Sequence, residues 1–222
     1  PQFRILKKIS KKKKLNLDTI FNYKSNLAIA SHKYLGEGQL LSVRSKNIKY
    51  SFQLNLIGKI QIQNFLMAVI AAEKSNLDIK KIINIAHMIK PVKGRLEKIG
   101  KIKNKSCVIL DYAHTPDALD ACLQNINDQF KNKKISIVFG CGGDRDKLKR
   151  SKMGKVADKY CHKIYLTDDN PRNENPGTIR LQIKKGIKKS RTIEISSREE
   201  AIKRSIFNLK TGEVLVVAGK GH

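Results

Sequence analysis

The chain has 222 residues, 40% of them hydrophobic and 29% charged, and carries a formal net charge of +27. This is a globular composition, long enough for one large or two small packed domains. No apolar run approaches the ~18 residues of a membrane span, and the basic start PQFRILKKISKKKK lacks the apolar core and cleavage site of a signal peptide. A cytoplasmic protein without a membrane span is therefore expected.

Pro1 stands where a methionine would begin a chain, which suggests a piece cut from something longer. The charge alone points to nucleic acid, because phosphate contacts come from Lys and Arg. Its make-up argues otherwise. Ten arginines stand against 36 lysines in a chain crowded with Ile and Asn, which reads as compositional drift. No aromatic residues are interleaved for base stacking and Trp is absent, so no nucleic-acid partner is expected. The KKKK at 11–14 reads as a solvated face. Cys107, Cys122, Cys141 and Cys161 form no C-x-x-C pair, and His162 sits beside Cys161 rather than at ligand spacing. Small buried thiols are expected, not a zinc site or a disulfide framework.

Along the chain, alternating stretches such as Tyr50-Ser-Phe-Gln-Leu54 suggest antiparallel strands, followed by helices over 63–74 (QNFLMAVIAAEK) and 79–88. Pro91-Val-Lys-Gly94 marks a boundary, giving domains at 1–92 and 93–222. From Ser106 onward, apolar runs at 107–110, 135–139, 164–166, 192–195 and 214–218 read as strands. Helix candidates lie between them at about 116–131, 150–160, 177–189 and 198–209. Thr115-Pro116 places a capping hydroxyl before a proline at the first helical position, and Ser197-Arg-Glu-Glu200 is a capping box. This alternation specifies an α/β fold with a mostly parallel, Rossmann-like sheet and helices on both faces.

In such a sheet, ligands bind beyond the carboxyl ends of the strands. Four strands exit into chemically rich turns: Asp111-Tyr-Ala-His-Thr-Pro116, Gly140-Cys-Gly-Gly-Asp-Arg-Asp146, Asp168-Asp-Asn-Pro-Arg172 and Gly219-Lys-Gly-His222. Gly140, Gly142 and Gly143 let the backbone approach an anion, with Arg145 beside them as a two-pronged donor. Asp111 and His114 lie three apart and could hold a ribose or order a phosphate-bound water. Proline after Asn170 stiffens the turn TDDNPRNENPG, so Asp169, Asn170 and Arg172 are presented on a fixed loop suited to a zwitterion.

These motifs, with Gly94-Arg-Leu-Glu97, Met153-Gly154 and the order in which they occur, resemble the Mur ligases, the ATP-dependent amide-forming enzymes of peptidoglycan synthesis. The resemblance covers 94–222. Within the family the chain is similar to the tripeptide synthetases. A weaker match, GKIQIQN at 58–64, is similar to the end of the central ATPase domain, with Gln61 where an asparagine is usual.

The resemblance implies that ATP phosphorylates the D-glutamyl carboxylate of UDP-N-acetylmuramoyl-L-alanyl-D-glutamate and that a diamino acid attacks the acyl phosphate. It implies Asp111 and His114 as catalytic residues and Asn64, Arg95, Asp111 and His114 as ATP contacts. It assigns Arg145, Asp169, Asn170, Pro171, Arg172 and Gly219 to the amino acid, and the form DNPR to meso-diaminopimelate. An arginine paired with the extra carboxylate of diaminopimelate would be left unpaired by lysine, at a cost of ~1–3 kcal/mol. By the same resemblance Lys93-Gly94 is the expected hinge, and a monomer is expected.

No G-x-x-x-x-G-K-[ST] loop occurs, nor does a domain for the UDP-sugar, and the chain ends before the glutamate that follows GKGH in the family. The phosphate loop and the Mg2+ ligands are expected upstream, with no metal ligand in this chain, and the chain alone is not expected to catalyse. A lysine-adding ligase, another Mur-type ligase and a non-catalytic basic binding module remain as alternatives.

Overall fold

The computed structural model describes residues 2–20, 27–45, 47–100 and 105–220. Two compact units divide them: 1–55 with 59–89, and 56–58 with 90–222.

In the first unit, α1 (Gln2–Lys12) precedes three antiparallel strands, β1 (Ala28–Leu35), β2 (Gly38–Ser45) and β3 (Ile48–Leu54). The Leu35↔Gly38 pair closes the first hairpin over two residues, with Gly36 in the left-handed region at φ +61°. Alternation in β3 turns Phe52 and Leu54 inward, and the Phe52 ring lies 5.5 Å from that of Phe65. Phe65 stands on α2 (Lys59–Lys74), which starts four residues earlier than the apolar pattern indicates. The helix expected over 79–88 is broken into α3 (Ile79–Asn84) and a 3-10 turn, Ala86–Met88.

The second unit holds a six-stranded sheet in the order β4-β5-β9-β6-β7-β8. Its strands are β4 (Glu97–Ile99), β5 (Cys107–Asp111), β6 (Ile135–Phe139), β7 (Lys163–Leu166), β8 (Arg191–Glu194) and β9 (Val214–Ala218). Only β4 runs antiparallel; the rest are parallel. The last strand inserts between β5 and β6, so the exits of β5, β6, β7 and β9 share one edge.

Helices cover both faces. Alternate strand residues, among them Ile109, Ile137, Phe139, Ile164 and Val216, pack against α4 (Pro116–Gln129), α5 (Leu148–Tyr160) and α6 (Pro176–Lys184). The opposite set, including Val138, Tyr165 and Leu215, packs against Ala201 of α7 (Arg198–Phe207). Each fully buried large apolar side chain contributes roughly 1.5–3 kcal/mol. Thr115 and Ser197 cap α4 and α7 as their sequences indicate, accepting from the backbone N–H groups of Ala118 and Glu200.

One helix is shorter than its pattern. α6 stops at Lys184 rather than near 189, because the Asp158 carboxylate accepts the N–H groups of Lys188, Lys189 and Ser190 and draws the chain into a turn. Burial alone would raise the Asp158 carboxyl, but these hydrogen bonds hold it below its ordinary value.

Candidate active site

The β5 exit is built around a carboxylate. Asp111 is buried, and its two oxygens accept the N–H groups of Leu96 and Ala113, each at 2.9 Å. Leu96 lies in the left-handed region at φ +47°, a costly conformation for a branched residue, so the Asp111 hydrogen bond offsets local strain. Glu97 closes the same turn by accepting the Gly94 N–H at 2.7 Å. The effect is to hold Arg95 over the Tyr112 ring, 5.0 Å from its centroid, with the His114 ring 5.0 Å away on edge. His114 is exposed and its Nδ1 lies 3.0 Å from the Tyr112 carbonyl. Lys149, at the start of α5, donates to the His114 carbonyl at 3.0 Å.

The β6 and β7 exits interlock through their backbones. The Gly143 N–H donates to the Asn170 carbonyl at 2.8 Å, and a Cβ on Gly143 would collide with the Pro171 carbonyl. A Cβ on Gly140 would likewise strike the Thr167 carbonyl. These two glycines are thus required by close approach. The Asn170 side-chain oxygen accepts the Arg172 N–H at 3.3 Å, and Arg172 adopts φ +49°. Arg172 Nη1 donates to the Gly143 carbonyl at 2.7 Å. Arg145 is exposed and forms no hydrogen bond or ion pair with another described residue.

Behind these loops lies a buried ion pair. Arg150 is 0% exposed, and its Nη1 and Nη2 donate to Glu174 Oε2 and Oε1 at 2.8 Å each. Nη1 also reaches Gln182 Oε1 at 2.7 Å and Nη2 the Gly142 carbonyl at 3.2 Å. Glu174 Oε1 accepts the Asp144 N–H at 2.6 Å. The Arg150 guanidinium and that N–H bring the Glu174 carboxyl down to about 2. Asp144 in turn accepts from the Asn173 backbone and side-chain amides, at 3.2 and 3.1 Å.

Gly219 completes the edge. Its φ of +99° suits glycine, and its N–H donates to the Asp111 carbonyl at 3.1 Å, tying the β9 exit to that of β5. Lys220 Nζ lies 3.4 Å from Asp169 Oδ1, a half-buried carboxylate. Gly221 and His222 lie outside the described residues. Under this turn Arg198 Nη2 donates to the Ala218 carbonyl at 3.0 Å, while its Nη1 is buried without a hydrogen-bond partner among the described residues.

Within the second unit the structure therefore brings Arg95, Asp111 and His114 to one end of the strand edge, and Arg145, Asp169, Asn170, Pro171, Arg172 and Gly219 to adjoining turns. Asn64 stands exposed on α2 of the first unit. Sequence reasoning missed Arg150, Glu174, Lys149 and Lys220. The only signal for Arg150 was an arginine on the α5 stripe that its burial would need apolar, which period-counting discards. The four cysteines are buried, and burial pushes Cys141 up to about 11, with Lys149 and Arg150 opposing. Among the described residues no group of three or more His, Cys, Asp or Glu could hold a metal ion.

Comparison with known proteins bears on this edge directly. The Mur ligase, glutamate ligase domain matches residues 94–221. A UDP-N-acetylmuramoyl-L-alanyl-D-glutamate--2,6-diaminopimelate ligase of Rickettsia felis is 43% identical over 189 residues, covering 82% of this chain and 35% of that protein. The protein of the same name from Buchnera aphidicola is 41% identical over 168 residues, 75% of this chain and 33% of its own length. A solved structure of a ligase of that name superposes with a TM-score of 0.69 at 33% identity, over 91% of this chain and 42% of the other. A Mycobacterium tuberculosis folylpolyglutamate synthase complexed with ADP shares the fold at a TM-score of 0.75 and 20% identity, over 98% of this chain and 50% of its own. The chain thus spans about a third of the length of the curated relatives it matches. The motifs, the parallel sheet that gathers them and the extent of these matches agree, and the chain belongs to the Mur ligase family.

Proposed function

We propose that the chain is part of an ATP-dependent ligase that joins meso-diaminopimelate to UDP-N-acetylmuramoyl-L-alanyl-D-glutamate, and that it supplies the amino-acid pocket and one nucleotide-facing wall. The observation that carries this reading is the placement of two exposed arginines, Arg145 and Arg172, and the Asp169 carboxylate on interlocked turns. A diamino acid with two carboxylates needs such a set of opposite charges.

Arg172 spends one of five donors on the Gly143 carbonyl, which leaves its Nε–Nη2 edge for a bidentate carboxylate. Asp169 is matched to an ammonium group: Lys220 now holds that position at 3.4 Å, and the substrate amine would displace it. Lysine as substrate would satisfy the acid but leave the arginine edge empty. Interlocked turns hold Asp169 and Arg172 before substrate arrives, which lowers the ordering entropy that opposes binding.

The donor set at the β5 exit fits a polyanionic nucleotide: Arg95 and His114 flank the Tyr112 ring, and Lys149 stands at the His114 carbonyl. ATP, when bound, supplies the phosphoryl group that activates the substrate carboxylate. Asp111 keeps the turn in place with both oxygens on backbone amides, and His114 offers Nε2 to a phosphate. We assign Asn64 to the adenine end, residues 1–92 to the end of a central ATP-binding domain, and the Mg2+ ligands to parts of the enzyme outside this chain. We place the reaction in the cytoplasm, carried out by a monomer; no described helix is long and apolar enough to cross a membrane.

The test is Arg172→Ala in the full-length ligase. The KM for diaminopimelate should rise far more than that for ATP; an equal rise in both would refute the pocket assignment.

A further inference from the structure

The Arg150–Glu174 pair takes a guanidinium wholly out of water. Replacing a buried ion pair with apolar residues is often neutral or stabilising, because desolvation consumes the Coulombic gain. Here the burden is heavier still, since Arg150 Nε is buried with no hydrogen-bond partner among the described residues. Where such a pair is kept, it can fix position as well as add stability.

What the pair joins is specific. Arg150 belongs to α5, Gln182 to α6, Gly142 and Asp144 to the β6 exit, and Glu174 to the β7 exit. Asp144 immediately precedes Arg145, and Glu174 lies two residues after Arg172. The Asp144 N–H and its side chain are both fastened to the β7 exit, the first through Glu174 and the second through Asn173. Asp144 takes φ +49°, a conformation these hydrogen bonds help to hold.

We propose that Arg150 and Glu174 form a latch that sets the separation and orientation of Arg145 and Arg172, making them positioning residues for the amino acid although neither touches it. This rests on the ligase reading above for the identity of the ligand, not for the latch. Only a bidentate, planar pair fixes both distance and tilt, which is why arginine and not lysine serves at 150. The Glu174 carboxylate stays ionised down to about 2, so the latch holds at every pH at which the enzyme would work.

The test uses the full-length ligase with Glu174→Gln, which keeps an acceptor for the Asp144 N–H, Arg150→Lys, which keeps charge without the fork, and Asn173→Ala, an exposed site that loses only the outer strut. Each is assayed with the amine the wild type uses best. The expected result is a KM for that amine raised about tenfold or more in the first two and about two- to threefold in the third, with KM for ATP unchanged and kcat within about threefold. An unchanged amine KM in Asn173→Ala and in whichever latch variants fold would overturn the proposal, as would equal loss in ATP and amine KM. Failure of the diaminopimelate reading looks different: the wild type itself would use lysine as well as diaminopimelate, whatever the latch variants do.

Discussion

Arg150 donates both terminal guanidinium nitrogens to the two oxygens of Glu174 at 2.8 Å each, from a position without solvent exposure. Removing the cation alone would leave the Glu174 carboxylate with the Asp144 N–H and Lys147 Nζ, 3.6 Å away, but without its guanidinium fork, and would strip Gln182 and the Gly142 carbonyl of a donor. Arg150→Met should therefore destabilise the second unit by about 3 kcal/mol. Thermal unfolding measures this, and a melting temperature within a degree of wild type would contradict it.

Acid should expose the same contact. The Glu174 carboxyl is lowered from 4.5 to about 2, so its contribution to stability is complete above about 4.5 and is lost as pH falls through about 2. Asp158 is lowered as well and adds to the same acid limb. Melting temperature should fall between pH 4.5 and 2, and less steeply in Glu174→Gln. Parallel curves for the two proteins would show that Glu174 does not carry the effect.

Gly143 has no room for a side chain, because the Pro171 carbonyl fills it. Gly143→Ala should cost about 1–3 kcal/mol by forcing the two turns apart. It should also raise the amine KM more than the ATP KM. Wild-type stability and kinetics in this variant would mean that the turns do not need to interlock.

His114→Ala removes the exposed imidazole whose Nδ1 faces the Tyr112 carbonyl. The expectation is a drop of about tenfold in kcat/KM for ATP with little change in amine KM. Steady-state kinetics with each substrate varied in turn separates the two, and unchanged ATP dependence would remove His114 from the nucleotide side.

Much of this edge was legible because strand exits in a parallel sheet carry their chemistry locally: Asp111-Tyr-Ala-His114, Gly140–Arg145 and Asp169–Arg172 each read off one short stretch. The five parallel strands were legible for the same reason, as largely apolar runs of three to five residues. Their order was not, since nothing local says that Val214–Ala218 inserts between β5 and β6. β4 was missed because three residues, Glu97–Ile99, carry no period. The latch was missed because Arg150 and Glu174 are 24 residues apart, and a buried charge looks like a surface one until its partner is seen. The turn after α6 shows the same limit: helical periodicity ran on to 189, while Asp158, 30 residues upstream of Lys188, had already claimed those amides.

The most direct measurement is the ratio of kcat/KM for meso-diaminopimelate and for lysine in the full-length ligase, wild type against Arg172→Ala. The wild type should prefer diaminopimelate by about 10- to 100-fold or more, and the variant should lose most of that preference by losing diaminopimelate rather than gaining lysine. Equal use of the two amines by the wild type, or an undiminished preference in Arg172→Ala, would contradict the assignment of this pocket.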